Sequence, residues 1–206
     1  METYTHKDYS EYMMAQRTMT RIRTNHGADI MSSITRDLVC EVNGLIHQHI
    51  DKIKRMVCHG CRSGVEVVVF QELNPESIIF GTDIYGKAYK FDRKNFKEMD
   101  FDRVPENWIG YFDVVYSNSI DHSRNPINTL KAWKSELRDG GIFFITFWCG
   151  LGVSKSNCFR LNNETWSDEV RNLAEKVEMK VLYISSKYLL NYSRTSHFCV
   201  DTIWKK

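Results

Sequence analysis

Proline is scarce in this chain, three residues in 206, which leaves no material for proline-rich linkers. A dominant charge is missing as well: 28 Lys and Arg stand against 26 Asp and Glu, a formal net charge of +2. So even a balance argues, by itself, for neither nucleic acid nor an anionic membrane as a partner. No stretch approaches the ~18 consecutive apolar residues of a membrane-spanning helix. The opening Met1–Lys7 has no apolar core of the kind a secretory signal carries, so the expectation is a cytoplasmic protein. Its six cysteines are then expected as reduced thiols. Repeats and low-complexity tracts are absent from the sequence.

What remains is ordinary globular material, 42% hydrophobic and 26% charged. A chain of this length buries about 70% of its extended surface and needs no metal or disulfide to hold a core. Tyr9, Tyr12, Met13, Met19 and Ile22 predict a helix over 8–24, stopped by Asn25-His26-Gly27. A second helix is predicted from Asp29 to about Arg55, because Ile30, Ile34, Leu38, Val42, Leu45, Ile46, Ile50 and Ile53 recur at near-helical steps. Together residues 1–55 read as a helical lid or cap, and 56–206 as the core of one compact domain.

From Met56 the pattern changes to short apolar runs separated by turns: 56–58, 78–80, 111–116 and 141–147. These are buried-strand signals. Between the last two, Asn125 and Pro126 mark a helix start, with Leu130, Trp133 and Leu137 inward and Gly140 as its stop. Val65–Phe70 has strand propensity, but its place after a glycine turn favours a short buried helix. Residues 149–162 read as a loop. A helix follows over 163–177, with Thr165 and Asp168 at capping-box spacing, then two strands near 180–186 and 197–204. Strands alternating with helices predict an α/β fold with a mostly parallel sheet, an antiparallel C-terminal edge and N-terminal helices.

The most informative segment is Val57-Cys58-His59-Gly60-Cys61-Arg62-Ser63-Gly64-Val65-Glu66. Gly60 and Gly64 let a strand turn sharply into a helix whose N-terminus can meet a ligand. Asp83 follows Gly64 by 19 residues, where doubly wound folds place an acid that accepts ribose hydroxyls. Cys58 and Cys61 form a C-x-x-C pair, but two ligands do not make a tetrahedral zinc site, so no metal is assigned. Buried, inert thiols are the ordinary alternative.

In order and spacing these segments resemble the class I S-adenosylmethionine-dependent methyltransferases, type 11-like, over about residues 52–150, and the resemblance implies a Rossmann-like, doubly wound, mostly parallel seven-stranded sheet. Gly60-Cys61-Arg62-Ser63-Gly64 matches the family's G-C-G-x-G turn, with Arg62 in place of the middle glycine. The resemblance implies that Gly60, Cys61, Arg62 and Gly64 cradle S-adenosylmethionine, that Asp83 takes the ribose and that Asp100, in Lys97–Phe101, lies near the adenine. Phe112–Ser119 looks like the fourth strand and its cofactor-facing turn, which assigns Ser117 and Asn118 to the cofactor. Glu136–Phe144 resembles the family's L-x-P-G-G approach to the fifth strand. Cys58 stands where the family carries an acid; Glu66, one turn into the next helix, is the candidate replacement charge.

Methyl transfer needs orientation above all, and a base only where the acceptor must lose a proton. His122 is the candidate base, with Asp121 orienting it; a polar loop capping the next helix is the alternative. Trp148 either lines an acceptor pocket or packs as an ordinary aromatic. The run Lys87, Lys90, Arg93, Lys94 and Lys97 either meets phosphate or is a solvated face. A methyltransferase for a small-molecule or glycan-like acceptor is the leading expectation. A non-catalytic scaffold, a nucleic-acid methyltransferase and a nicotinamide-dependent oxidoreductase are the alternatives. Oligomeric state is not legible.

Overall fold

β-branched and aromatic residues dominate the apolar runs at 78–80, 111–116 and 141–147, and helices separate most of the runs, so the chain builds a sheet by strand–helix–strand steps. The computed structural model describes residues 1–25, 35–149, 152–188 and 198–206. Its strands are β1 (Glu2–Thr3), β2 (Arg55–His59), β3 (Ile78–Asp83), β4 (Phe96–Glu98), β5 (Phe112–Ser117), β6 (Leu137–Cys149), β7 (Phe159–Arg160), β8 (Lys180–Tyr188) and β9 (Phe198–Lys205). Its helices are α1 (Tyr9–Asn25), α2 (Arg36–His47), α3 (Val65–Leu73), α4 (Pro126–Glu136) and α5 (Trp166–Lys176).

Seven strands form the main sheet in the order β4-β3-β2-β5-β6-β9-β8. The first five are parallel, with Val57 opposite Phe80 on one side and Val115 on the other. β9 runs antiparallel between β6 and β8. The predicted fold class is therefore the observed one. Strand order reverses between β2 and β5, and the crevice outside their carboxyl ends is where such sheets bind ligands.

Alternation along the strands divides the core in two. Met56, Cys58, Val114, Tyr116, Ile142 and Phe144 pack against α2 and α3. Val57, Val115, Phe143 and Ile145 pack against α4 and α5 through Leu130, Trp133, Val170 and Leu173. Every residue of β5 is buried, as a strand covered on both faces requires.

The segment 65–70 is helical, as its position after the turn predicts. Other boundaries differ. α2 ends at His47 instead of near Arg55, and the Gln48 amide caps it on Leu45 and Ile46. Ile53 is still buried, but by chain descending into β2, so its near-helical spacing was fortuitous. The expected stop at His26-Gly27 and the start at Asp29 lie outside the described residues. α4 ends at Glu136, before Gly140, because the Gly110 and Tyr111 amides take the Ser135 and Glu136 carbonyls and draw the chain into β6. The 149–162 segment contains a strand after all: β7 pairs with β1, 156 residues or more away in sequence and with no local signal. Thr165 sits at the start of α5, but its hydroxyl meets Glu169 and not Asp168. No helix among the described residues is long and apolar enough to cross a membrane.

At the amino ends of the strands Asp113 ties three segments together. Its carboxylate accepts the Lys54 and Arg55 amides, each at 2.7 Å, and the Arg138 guanidinium. Burial pushes this carboxyl up, but Arg138 and the two amides outweigh it and hold it below its ordinary range. A carboxylate depressed on folding adds stability above its unfolded pKa and loses it as pH falls through the folded value. Asp113→Asn is expected to lower stability at pH 7 by ~2 kcal/mol, about 4–8 °C in Tm. The gap should close on acidification below about pH 4, measured by thermal melts across pH.

Candidate functional site

Three residues of the β2–α3 turn are left-handed: Gly60 at φ 72°, Arg62 at 41° and Gly64 at 85°. The glycines are demanded by space as well as by φ. A Cβ at Gly60 would lie 2.6 Å from the Ser119 Cβ, and one at Gly64 would lie 2.2 Å from the Tyr89 ring. Arg62 occupies a conformation that disfavours a Cβ. The turn is held to the neighbouring strand by the Cys61 amide on the Thr82 carbonyl and the Arg62 amide on the Asp83 carboxylate, both at 2.9 Å.

Two acids stand at adjoining strand ends. Asp83 closes β3, nearly buried, and accepts one amide on each oxygen, from Arg62 and from Tyr85. A carboxylate has about four acceptor positions, so capacity for a hydroxyl donor remains. Asp100, just past β4, accepts the Tyr9 hydroxyl at 2.8 Å, the Tyr12 hydroxyl at 3.3 Å and the Phe101 amide at 2.7 Å. Both tyrosines come from α1, which therefore lies across the mouth. Arg17 of the same helix reaches the Ile84 carbonyl, and Gln16 reaches the His122 and Ser156 carbonyls. Arg124 lies over the rings of Tyr9 and Tyr12.

Beyond β5, the Ser117 hydroxyl binds the His59 carbonyl, and the Asn118 carbonyl accepts the Trp148 indole at 2.9 Å. Trp148 is thus at the mouth. His122 Nδ1 lies 2.5 Å from the Ser156 carbonyl. A carbonyl only accepts, so Nδ1 carries the proton, and in the neutral ring Nε2 keeps its lone pair. Asp121 Oδ2 lies 4.0 Å from that Nε2.

Glu66 is fully buried on the α3 face, with Cys58, Cys61 and Tyr116 in its electrostatic surroundings. Burial pushes its carboxyl up to about 8 despite the counter-pull of its own amide and Arg62. Near neutral pH this favours the uncharged acid. Burial also raises the Cys58 and Cys61 thiols well above their usual range, so the C-x-x-C pair presents no thiolate. The basic run is partly committed to folding: Arg93 binds the Gly86 carbonyl and covers Phe96, and Lys97 lies over Trp108.

Sequence reasoning missed Tyr9, Tyr12 and Gln16 as neighbours of the mouth, and Tyr89 as the wall against Gly64. No local pattern announces contacts between residues as far apart as Tyr12 and Asp100.

No family model and no curated protein matches the sequence. Solved structures do match. The chain is similar to the Burkholderia thailandensis 1,6-didemethyltoxoflavin-N1-methyltransferase, with TM-score 0.73 and 13% identity over 98% of this chain and 92% of that one. It is similar to the plantazolicin methyltransferase BpumL, with TM-score 0.71 and 12% identity over 96% of each chain. This is the class I S-adenosylmethionine-dependent methyltransferase fold. The [4+2]-cyclase SpnF also shares it, at TM-score 0.62 and 12% identity over 81% of this chain and 80% of that one. One scaffold therefore hosts more than one reaction type, and function must be argued from the site.

Glu66 supplies a test of the site's electrostatics. Its carboxyl is raised on folding, so the native state prefers it protonated and loses stability as pH rises from the unfolded to the folded value. Glu66→Gln is expected to match wild type near pH 4 and to gain on it by up to about 1.4 kcal/mol per pH unit between about pH 5 and 8. Urea unfolding at several pH values measures this.

Proposed function

We propose that this chain binds S-adenosylmethionine and transfers its methyl group to a small-molecule or glycan-like acceptor. One arrangement carries the reading: two carboxylates, Asp83 and Asp100, flank a left-handed turn at the switch point of the sheet, beneath a helix that covers them. Carboxylates only accept hydrogen bonds, which suits ribose hydroxyls at Asp83 and an adenine amino group at Asp100. The 1,6-didemethyltoxoflavin-N1-methyltransferase and the plantazolicin methyltransferase, crystallised with S-adenosylhomocysteine, add support by their likeness in fold.

When bound, the cofactor supplies an electrophilic methyl group on a sulfonium. The protein's part is positioning. Gly60 and Gly64 keep the turn's backbone close, with Cys61 and Arg62 between them, and Ser117 and Asn118 form the opposite lip. α1 acts as the lid that excludes water, through Tyr9 and Tyr12. His122 takes a proton from the acceptor on Nε2, its ring aimed by the Ser156 carbonyl. Asp121 Oδ2 stands 4.0 Å from that nitrogen.

A second reading, a non-catalytic binding protein of the same fold, draws on Cys58 and on Arg62 in its left-handed conformation. Titration with S-adenosylhomocysteine separates the two. At 100 times the dissociation constant the ligand adds about 2.7 kcal/mol, a rise in Tm of roughly 5–11 °C. The shift is expected in wild type and lost in Asp83→Ala. With an accepted substrate in hand, His122→Gln should lower kcat about 100-fold or more while leaving this shift in place. No heat and no shift at millimolar ligand overturns the methyltransferase reading in favour of the binding protein.

A further inference from the structure

His59 is the last residue of β2 and precedes Gly60, yet its imidazole does not point to solvent. It is 1% exposed and lies stacked on Trp133, with ring centroids 4.9 Å apart and planes 6° from parallel. Nδ1 is 2.8 Å from the Thr82 hydroxyl and Nε2 is 2.7 Å from Glu136 Oε2. Its own carbonyl accepts the Ser117 hydroxyl at 3.0 Å. Two of these partners adjoin the mouth, since Thr82 precedes Asp83 and Ser117 precedes Asn118, while Glu136 ends α4.

The tie uses the whole ring. Nε2 pairs with the Glu136 carboxyl and Nδ1 with the Thr82 hydroxyl, and in either neutral tautomer one nitrogen donates while the other accepts. The ring thereby has both nitrogens satisfied and its plane defined by two bonds and a stacked indole. Such a pair is a poor device for mere stability, since an apolar pair of like volume stabilises a core as well or better. What hydrogen bonds add is orientation.

We infer that His59 is a positioning residue of the cofactor site: its imidazole, held between Thr82 and Glu136, fixes the Gly60 turn and Asp83 relative to one another and to the β5 lip. The inference rests on the cofactor reading above and assigns His59 no contact with the cofactor or the acceptor.

The test compares wild type, His59→Phe, Glu136→Leu and the double variant by urea unfolding and by calorimetric titration with S-adenosylhomocysteine. His59→Phe strands a buried carboxylate and should unfold at markedly lower urea. The double variant replaces the pair with apolar side chains and should regain most of the wild-type midpoint, yet bind S-adenosylhomocysteine about tenfold more weakly. A purely structural role predicts that affinity returns together with stability, so wild-type affinity in the double variant overturns the inference. Thr82→Val guards against failure of the double variant to fold, since it removes one hydroxyl and keeps the shape. It should weaken binding about threefold at a smaller loss of urea midpoint than His59→Phe, and unchanged affinity also overturns the inference. If wild type itself gives no binding heat, the cofactor reading falls and this role falls with it. Wild-type binding with an indifferent double variant removes the positioning role alone.

Discussion

The passage of the chain from β2 into α3 is the constraint on which the rest of the mouth depends. Backbone must turn there with less than a side chain's clearance, against Ser119 on one side and the Tyr89 ring on the other. Glycine at 60 and 64 meets both the φ and the space. Once the turn is closed, its amides fall on Thr82 and Asp83, which locks the end of β3 to the end of β2. Asp83 is therefore oriented by the turn before any ligand arrives. Preorganisation of this kind lowers the ordering that a bound cofactor would otherwise have to pay for.

Buried acids serve opposite ends of the sheet by opposite means. At the amino ends Asp113 stays charged because two amides and Arg138 compensate for its burial. On the α3 face Glu66 has too little compensation, and burial drives it towards the neutral acid. At the carboxyl ends Asp83 and Asp100 are engaged by amides and tyrosine hydroxyls while keeping acceptor capacity. The same carboxyl group thus staples the fold, fills the core and lines the mouth, according to the donors it meets.

The N-terminal segment is built into the mouth. β1 pairs with β7, the terminal ammonium meets Glu169, and Glu11 pairs with Lys155. α1 spans from Ile84 and Asp100 to the loop around Ser156 that aims His122. Cover and candidate base are thus linked through one loop. α2, by contrast, contributes Val39, Val42 and Ile46 to the core of the sheet's other face.

Local signals were legible in the sequence because their physics is local. Gly60 and Gly64 announced a sharp turn from strand to helix, Asn125-Pro126 announced the start of α4, and alternating strand and helix patterns announced a parallel sheet. Asp83 was legible because strand and turn lengths place it at a strand end. Helix ends were less so, since Glu136 and His47 end their helices where distant amides or a descending strand compete for the chain. By itself the sequence determined the fold class, the turn and the acids beside it. Only the tertiary structure decided which groups meet there: Tyr12 with Asp100, His59 with Glu136, His122 with Ser156. Those pairs span 34 to 88 residues, and over such separations contact is set by how the layers pack, which no local pattern encodes.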